Sequence, residues 1–184
     1  MFSVSYLQMV LFISVIWLVL RALCWIRNKR IDIKREAALL PVYICIVVVV
    51  RFTFCPFGKV NGQIQPLLFD LDKVFPLWLN LKPFVYLFDY PTMRESLLNL
   101  VGNIAMFIPL GVVWPAVFKN LNTHLKVISA GVGMSLCIEL LQLPFYDRAT
   151  DVDDLILNSI GFLMGYGLWC LYKRLCSPRR KNRL

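Results

Sequence analysis

Two stretches of the sequence, 97–118 and 155–172, run without a single Asp, Glu, Lys or Arg. An α-helix needs roughly 17–25 mostly apolar residues to cross a bilayer, where the backbone has to satisfy its polar groups internally. Three further stretches meet that requirement with one charge each: 4–25 with Arg21, 37–55 with Arg51 and 127–145 with Glu139. Together they predict an all-α fold, a polytopic transmembrane bundle of about five spans forming a single domain over residues 1–184. Composition agrees. Hydrophobic residues make up 59% and charged residues 17%, with a mean hydropathy of +0.66, against roughly 45–50% and about 25% in soluble domains. Too little polar sequence remains for a Rossmann domain, a P-loop NTPase or a zinc-finger module, and those classes are excluded.

The net charge of +9 would suit a nucleic-acid partner, but its distribution argues for topology instead, and no nucleic acid is expected. Arg27, Lys29, Arg30, Lys34 and Arg35 follow the first span, Lys119 and Lys126 the third, and Lys173, Arg174, Arg179, Arg180, Lys181 and Arg183 the fifth. Basic segments stay in the cytoplasm, which predicts the N-terminus outside, the C-terminus inside and a basic cytoplasmic tail over 173–184. No basic segment precedes the first apolar run, so that run is expected to remain as an anchor. The outward segments carry Lys59, Lys73, Lys82, Arg94 and Arg148 against Asp70, Asp72, Asp89, Glu95, Asp147, Asp151, Asp153 and Asp154. The longest of them, 56–96, is apolar and aromatic, and Pro66, Pro76, Pro83 and Pro91 cut it into pieces too short to span. It reads as an amphipathic outer loop, lying among the headgroups or folded over the bundle.

The cysteines Cys24, Cys45, Cys55, Cys137, Cys170 and Cys176 form no CxxC pair, and only Cys55 is expected to approach the outer surface, so no disulfide framework is expected. The single histidine, His124, falls in a short basic loop. A His-based zinc site or Ser-His-Asp triad on the outer side is thereby removed, and no cofactor is expected.

Polar residues inside the spans carry the functional argument, because a charge at the centre of a membrane helix costs roughly 2.5–3.5 kcal/mol on insertion scales. At about 1.5 Å per residue, Arg51, Asn103, Glu139 and Asn158 each lie about 6–9 Å below the outer ends of their helices. They also fall in rows: Asn99 with Asn103, Ser135 with Glu139 and Gln142, and Asp151 with Asp154 and Asn158 if the fifth helix begins before Asp151. Gly102, Gly111, Gly131, Gly133, Gly161, Gly165 and Gly167 permit close helix approach. The rows predict an intramembrane polar pocket facing outward. Separate structural roles compete with it: Asp151 or Asp153 as a helix cap, the asparagines as ties between helices, Arg51 and Glu139 as an ion pair.

At these residues the sequence resembles the VanZ-like family of bacterial membrane proteins, named for a member of a glycopeptide-resistance gene cluster. The resemblance is carried by Asn80-Leu-Lys-Pro-Phe84, by Asn99-Leu-Val-Gly-Asn103-Ile-Ala-Met-Phe-Ile-Pro-Leu-Gly111, by Glu139-Leu-Leu-Gln142, and by Arg148-Ala-Thr-Asp151-Val-Asp-Asp154-Leu-Ile-Leu-Asn158-Ser-Ile-Gly161. It implies a multi-pass protein of the bacterial cytoplasmic membrane, in a family associated with reduced susceptibility to teicoplanin-type lipoglycopeptides. No established catalytic mechanism comes with it.

Two functions follow. In the first, Arg51, Asn99, Asn103, Glu139, Gln142, Arg148, Asp151, Asp154 and Asn158 line a binding pocket for a membrane lipid, a lipid-linked envelope precursor or a lipoglycopeptide. The carboxylates and amides would bond sugar hydroxyls or a peptide stem, and an arginine would meet phosphate or carboxylate. In the second, the protein is an intramembrane hydrolase or transferase with Glu139 as acid or base, and Asp151 with Asp154 as an alternative site for a divalent cation. Binding is the favoured reading, since no activated nucleophile stands out.

Overall fold

The computed structural model of the chain describes residues 2–54, 59–60, 63–64, 66–75, 79–85, 91–146, 148 and 150–176. Cys55 and the end of the basic tail, 177–184, lie outside the described residues, as do 55–58, 61–62, 65, 76–78 and 86–90 of the expected outer loop region.

Five helices are long and apolar enough to cross a membrane: α1 Tyr6–Asn28, α2 Ile33–Phe54, α3 Met93–Val117, α4 His124–Gln142 and α5 Val152–Cys176. Most outrun the apolar stretches that predict them, because capping rather than hydropathy ends a helix. Ser5 and Gln8 form a capping box at the start of α1, and Lys29 closes that helix with φ 53°. Thr92 caps α3 and Thr123 caps α4, accepting from the backbone N–H groups of Glu95 and Lys126. α5 begins at Val152, so Asp151 precedes the helix and leaves the expected row with Asp154 and Asn158. Its carboxylate caps the helix from outside, accepting from the Asp153 N–H at 2.9 Å.

α3 and α5 make the closest helix pair, and glycine is the reason. A Cβ on Gly161 would collide with the carbonyl of Ile104, one on Gly165 with that of Ile108, and one on Gly111 with that of Phe162. Backbone approach of this kind supplies the dispersion contacts that hold helices together where lipid removes the hydrophobic drive. α4 joins by setting Gly131 against the Phe162 ring, and α2 packs on α3. The core includes Val49, Val50, Phe54, Met106, Phe107, Leu110, Ile138 and Phe162. α1 stands at the periphery with no buried residue. It is tied to α2 by a Ser14–Tyr43 hydrogen bond of 2.6 Å and by the Arg21–Glu36 ion pair, to which Trp25 Nε1 also donates at 2.9 Å.

Short strands cover the end of the bundle where α3 and α5 begin. β1 Phe2–Val4 pairs antiparallel with β4 Leu67–Phe69, β2 Lys59–Val60 with β3 Gln63–Ile64, and β5 Leu79–Asn80 pairs parallel with β6 Thr150–Asp151. A 3-10 turn, Leu71–Val74, follows β4. The segment is fastened to the α4–α5 connection by Tyr146 N–H to Leu68 O and Asp70 N–H to Pro144 O, both 2.8 Å, and by the Lys73 ammonium on the carbonyls of Phe145 and Arg148. Leu67 is fully buried beneath it, while Leu71, Phe75, Leu81 and Phe84 stay exposed.

Candidate functional site

At the strand-covered end, polar side chains from α2, α3, α4 and α5 meet below the surface. Asn103 of α3 uses both amide hydrogens, donating to Asn99 Oδ1 at 2.7 Å and to Asp154 Oδ1 of α5. Glu139 of α4 is 2% exposed, and its carboxylate accepts from the Asp151 N–H at 3.0 Å while its carbonyl accepts from Thr150 Oγ1 at 2.9 Å. Asp154, Asp151 and Arg148 all lie close enough to act electrostatically on that carboxylate. Deeper along the α4–α5 seam, Asn158 Nδ2 donates to Ser135 Oγ at 3.1 Å. Gln142 Nε2 reaches across to the Thr53 carbonyl at 2.7 Å, and the Arg148 guanidinium clamps the Phe54 carbonyl from Nε and Nη2 at 3.1 and 3.0 Å.

Among the described residues, Gln142 Oε1, Asp153 Oδ2 and Asn158 Oδ1 are buried with no hydrogen-bond partner. Beside this layer lies a cavity of about 280 Å³ between α2, α3 and the start of α5. Glu95, Asn99, Asn103, Arg148 and Asp154 give it a polar side; Phe52, Leu98, Gly102 and Met106 give it an apolar one, with Thr53 between.

The sequence-derived candidates therefore divide. Asn99, Asn103, Arg148 and Asp154 line the cavity. Glu139, Gln142, Asp151 and Asn158 form the buried polar layer behind it. Arg51 does not pair with Glu139 as one expectation had it: its guanidinium lies over the Tyr6 ring, 5.6 Å from the centroid. α1 offers Arg51 an aromatic face, and Glu139 is already engaged by the Asp151 backbone. Equal depth on two helices did not make the two residues neighbours.

Glu95 and Thr53 are site residues that sequence reasoning missed. Glu95 was legible, since it continues the Asn99–Asn103 row one turn outward, but it sits beyond the apolar run. Asp153, which the sequence offers as a helix cap, is 3% exposed and accepts from the Phe84 N–H at 2.8 Å. Phe84 holds φ at 64° there, a left-handed conformation rare outside glycine. Asn80 Nδ2 meanwhile donates to Asp151 Oδ1 at 3.0 Å. Two motifs that carried the resemblance, around Asn80–Phe84 and Asp151–Asp154, are thus two sides of one contact. Among the described residues no group of three or more His, Cys, Asp or Glu could hold a metal ion, so Asp151 and Asp154 find no third such ligand there. His124 bonds Tyr166 Oη at 2.7 Å at the opposite end of the bundle.

No solved structure matches the chain. Protein VanZ of Enterococcus faecium is 28% identical over 106 residues, which are 58% of this chain. The chain spans about three fifths of that relative's length, 61%. A family model described as VanZ/LLP1 matches residues 42–173, a range that takes in α2 from its third turn through most of α5 and every residue lining the cavity. With α3, α4, most of α5 and more than half of α2 inside that match, together with the α3–α5 glycine seam and the buried polar layer, this multi-pass membrane protein belongs to the VanZ/LLP1 family.

Proposed function

We propose that the protein binds, in the cavity beside Asn103 and Asp154, a lipid, a lipid-linked envelope precursor or a lipoglycopeptide at the outer leaflet of a bacterial cytoplasmic membrane. Such binding would lower susceptibility to teicoplanin-type antibiotics by changing their access to cell-wall targets. The observation that carries the reading is a cavity whose polar side, with Asn99, Asn103, Arg148 and Asp154, faces an apolar side of Phe52, Leu98 and Met106. A structural tie between helices needs no such space. Support also comes from the 28% identity to Protein VanZ.

The intramembrane enzyme with Glu139 as acid or base is the weaker reading, because Glu139 is buried behind the cavity wall and does not line it. Susceptibility of cells expressing the protein separates the readings. Asp154→Asn and Asn103→Leu should restore teicoplanin sensitivity with the protein still present in the membrane, while Glu139→Gln should retain measurable resistance. Resistance unchanged in the first two variants would refute the binding site. Its complete loss in Glu139→Gln, at normal abundance, would favour catalysis.

A further inference from the structure

The wall that α3 gives the cavity carries two rows of side chains one residue apart. Glu95, Asn99 and Asn103 recur every four residues, and so do Leu98, Gly102 and Met106; residues so spaced stack along one face of a helix. From residue 95 to residue 106 the rows descend about 16 Å along the helix axis. The polar row meets Asp154 and Arg148. The apolar row runs beside Phe52 of α2, and Phe52 and Leu98 are 39% and 52% exposed, an exposure that in a membrane-crossing bundle is to lipid.

Gly102 stands apart from the glycines that let α3 and α5 touch. A Cβ on Gly111, Gly161 or Gly165 strikes a neighbouring backbone carbonyl, whereas a Cβ on Gly102 meets nothing within 4 Å. Helix packing does not require a glycine there, and Gly102 is the one of these glycines that lines the cavity.

Charge and size narrow the occupant. Glu95 and Asp154 outnumber Arg148 in the lining, so the site as a whole repels a phosphate head, and an ammonium head would have to shed its hydration shell to enter. A hydroxyl both donates and accepts, and it brings no charge to be desolvated. At about 280 Å³ the cavity falls just under the roughly 300–1,000 Å³ of ordinary small-molecule pockets. It admits a head of about one sugar and not an intact glycopeptide. We propose that the groove between α2 and α3 is a side entrance from the bilayer for an amphiphile with a neutral polyhydroxyl head, and that Gly102 keeps it open. This rests on the cavity being the ligand site, and among the ligands considered above it selects a membrane lipid with an uncharged head.

The test uses the full chain in phosphatidylcholine nanodiscs with a dodecyl glucoside bearing a photoactivatable diazirine in its alkyl chain. Cross-links should concentrate on Phe52, Leu98 and Met106. Unlabelled dodecyl glucoside should compete, while dodecyl phosphate should do so about tenfold less well or worse, a difference of about 1.4 kcal/mol or more. Glucose at the same concentration should not compete at all. Gly102→Leu should remove the cross-links at unchanged abundance. Gly167→Leu, where a Cβ likewise meets nothing within 4 Å on the far end of α5, should leave them in place. Competition by glucose equal to that of dodecyl glucoside would overturn entry from the bilayer, and equal competition by dodecyl phosphate would overturn the choice of head. Labelling spread over all lipid-facing helices, alike in wild type and Gly102→Leu, would overturn the entrance itself. Failure of the underlying site reads out separately, as unchanged antibiotic susceptibility in Asp154→Asn.

Discussion

At the scale of single residues, the polar layer is a set of specific pairs, and the pairs dictate which substitutions couple. Asn103 donates to Asp154, so Asn103→Leu leaves a buried carboxylate oxygen short of a donor, at a cost of about 1–3 kcal/mol. Asp154→Leu removes the group that needed the donor, and the double variant should recover part of the loss. A double-mutant cycle on membrane-folded protein should give a coupling of about 0.5–3 kcal/mol. The same cycle on Arg51→Met and Glu139→Leu should be additive within about 0.5 kcal/mol, because one side chain rests on Tyr6 and the other on the Asp151 backbone. Coupling in the second pair and not the first would contradict the geometry of the layer. The rows Asn99–Asn103 and Ser135–Glu139–Gln142 are legible in the sequence because helical spacing is local. Which rows touch is not, since rotation and tilt of each helix about its neighbours are decided by packing. Phe84 is illegible for a related reason: nothing in Lys82-Pro83-Phe84 announces a positive φ until Asp153 is found holding the N–H. The left-handed conformation costs a non-glycine residue roughly 1–2 kcal/mol, and the Phe84 side chain is 61% exposed. Phe84→Gly should therefore keep or raise thermal stability, and Phe84→Val should lower it.

At the scale of elements, the bundle depends on the α3–α5 seam far more than on α1. Gly161→Val and Gly165→Leu would each drive a side chain into the backbone carbonyl of α3, and overpacking of that kind typically costs about 1–3 kcal/mol and occasionally more. Both should reduce folded protein in the membrane. Gly102→Leu should not, since its Cβ enters open space and leucine is the better helix former by roughly 1 kcal/mol. Equal losses at Gly102 and Gly161 would refute the distinction between a packing glycine and a groove glycine. The helices are legible because each holds about 20 residues of one character. Their ends run past the apolar stretches on caps such as Thr92 and Thr123. The strands over the bundle end are not legible. Pairings two or three residues long, such as Val4 with Leu67 and Asn80 with Asp151, join positions about 60–70 residues apart in the chain, and no local period of two is long enough to announce them.

At the scale of the whole molecule, the two ends of the bundle differ in charge, and that difference makes the orientation testable. Arg27, Lys29, Arg30, Lys34 and Arg35 join α1 to α2, Lys119 and Lys126 flank the α3–α4 connection, and Lys173 with Arg174 ends α5. The helix directions put all of these at one end. At the other end are Asp70, Asp72, Glu95, Asp151, Asp153 and Asp154, together with the cavity. If basic segments stay in the cytoplasm, the cavity faces outward and its ligand comes from the outer leaflet. Asp72 and Asn122 are exposed residues at opposite ends, so cysteines introduced there in a background free of native cysteines report the orientation directly. A membrane-impermeant maleimide should label Asp72→Cys in intact cells, and Asn122→Cys only after permeabilisation. The reverse pattern would turn the cavity toward the cytoplasm. Gly102 would still open a groove to the bilayer, but the amphiphile entering it would come from the inner leaflet, where it could not govern the access of an external antibiotic. The orientation is thus the step on which a resistance role stands, independently of whether the groove binds a polyhydroxyl head.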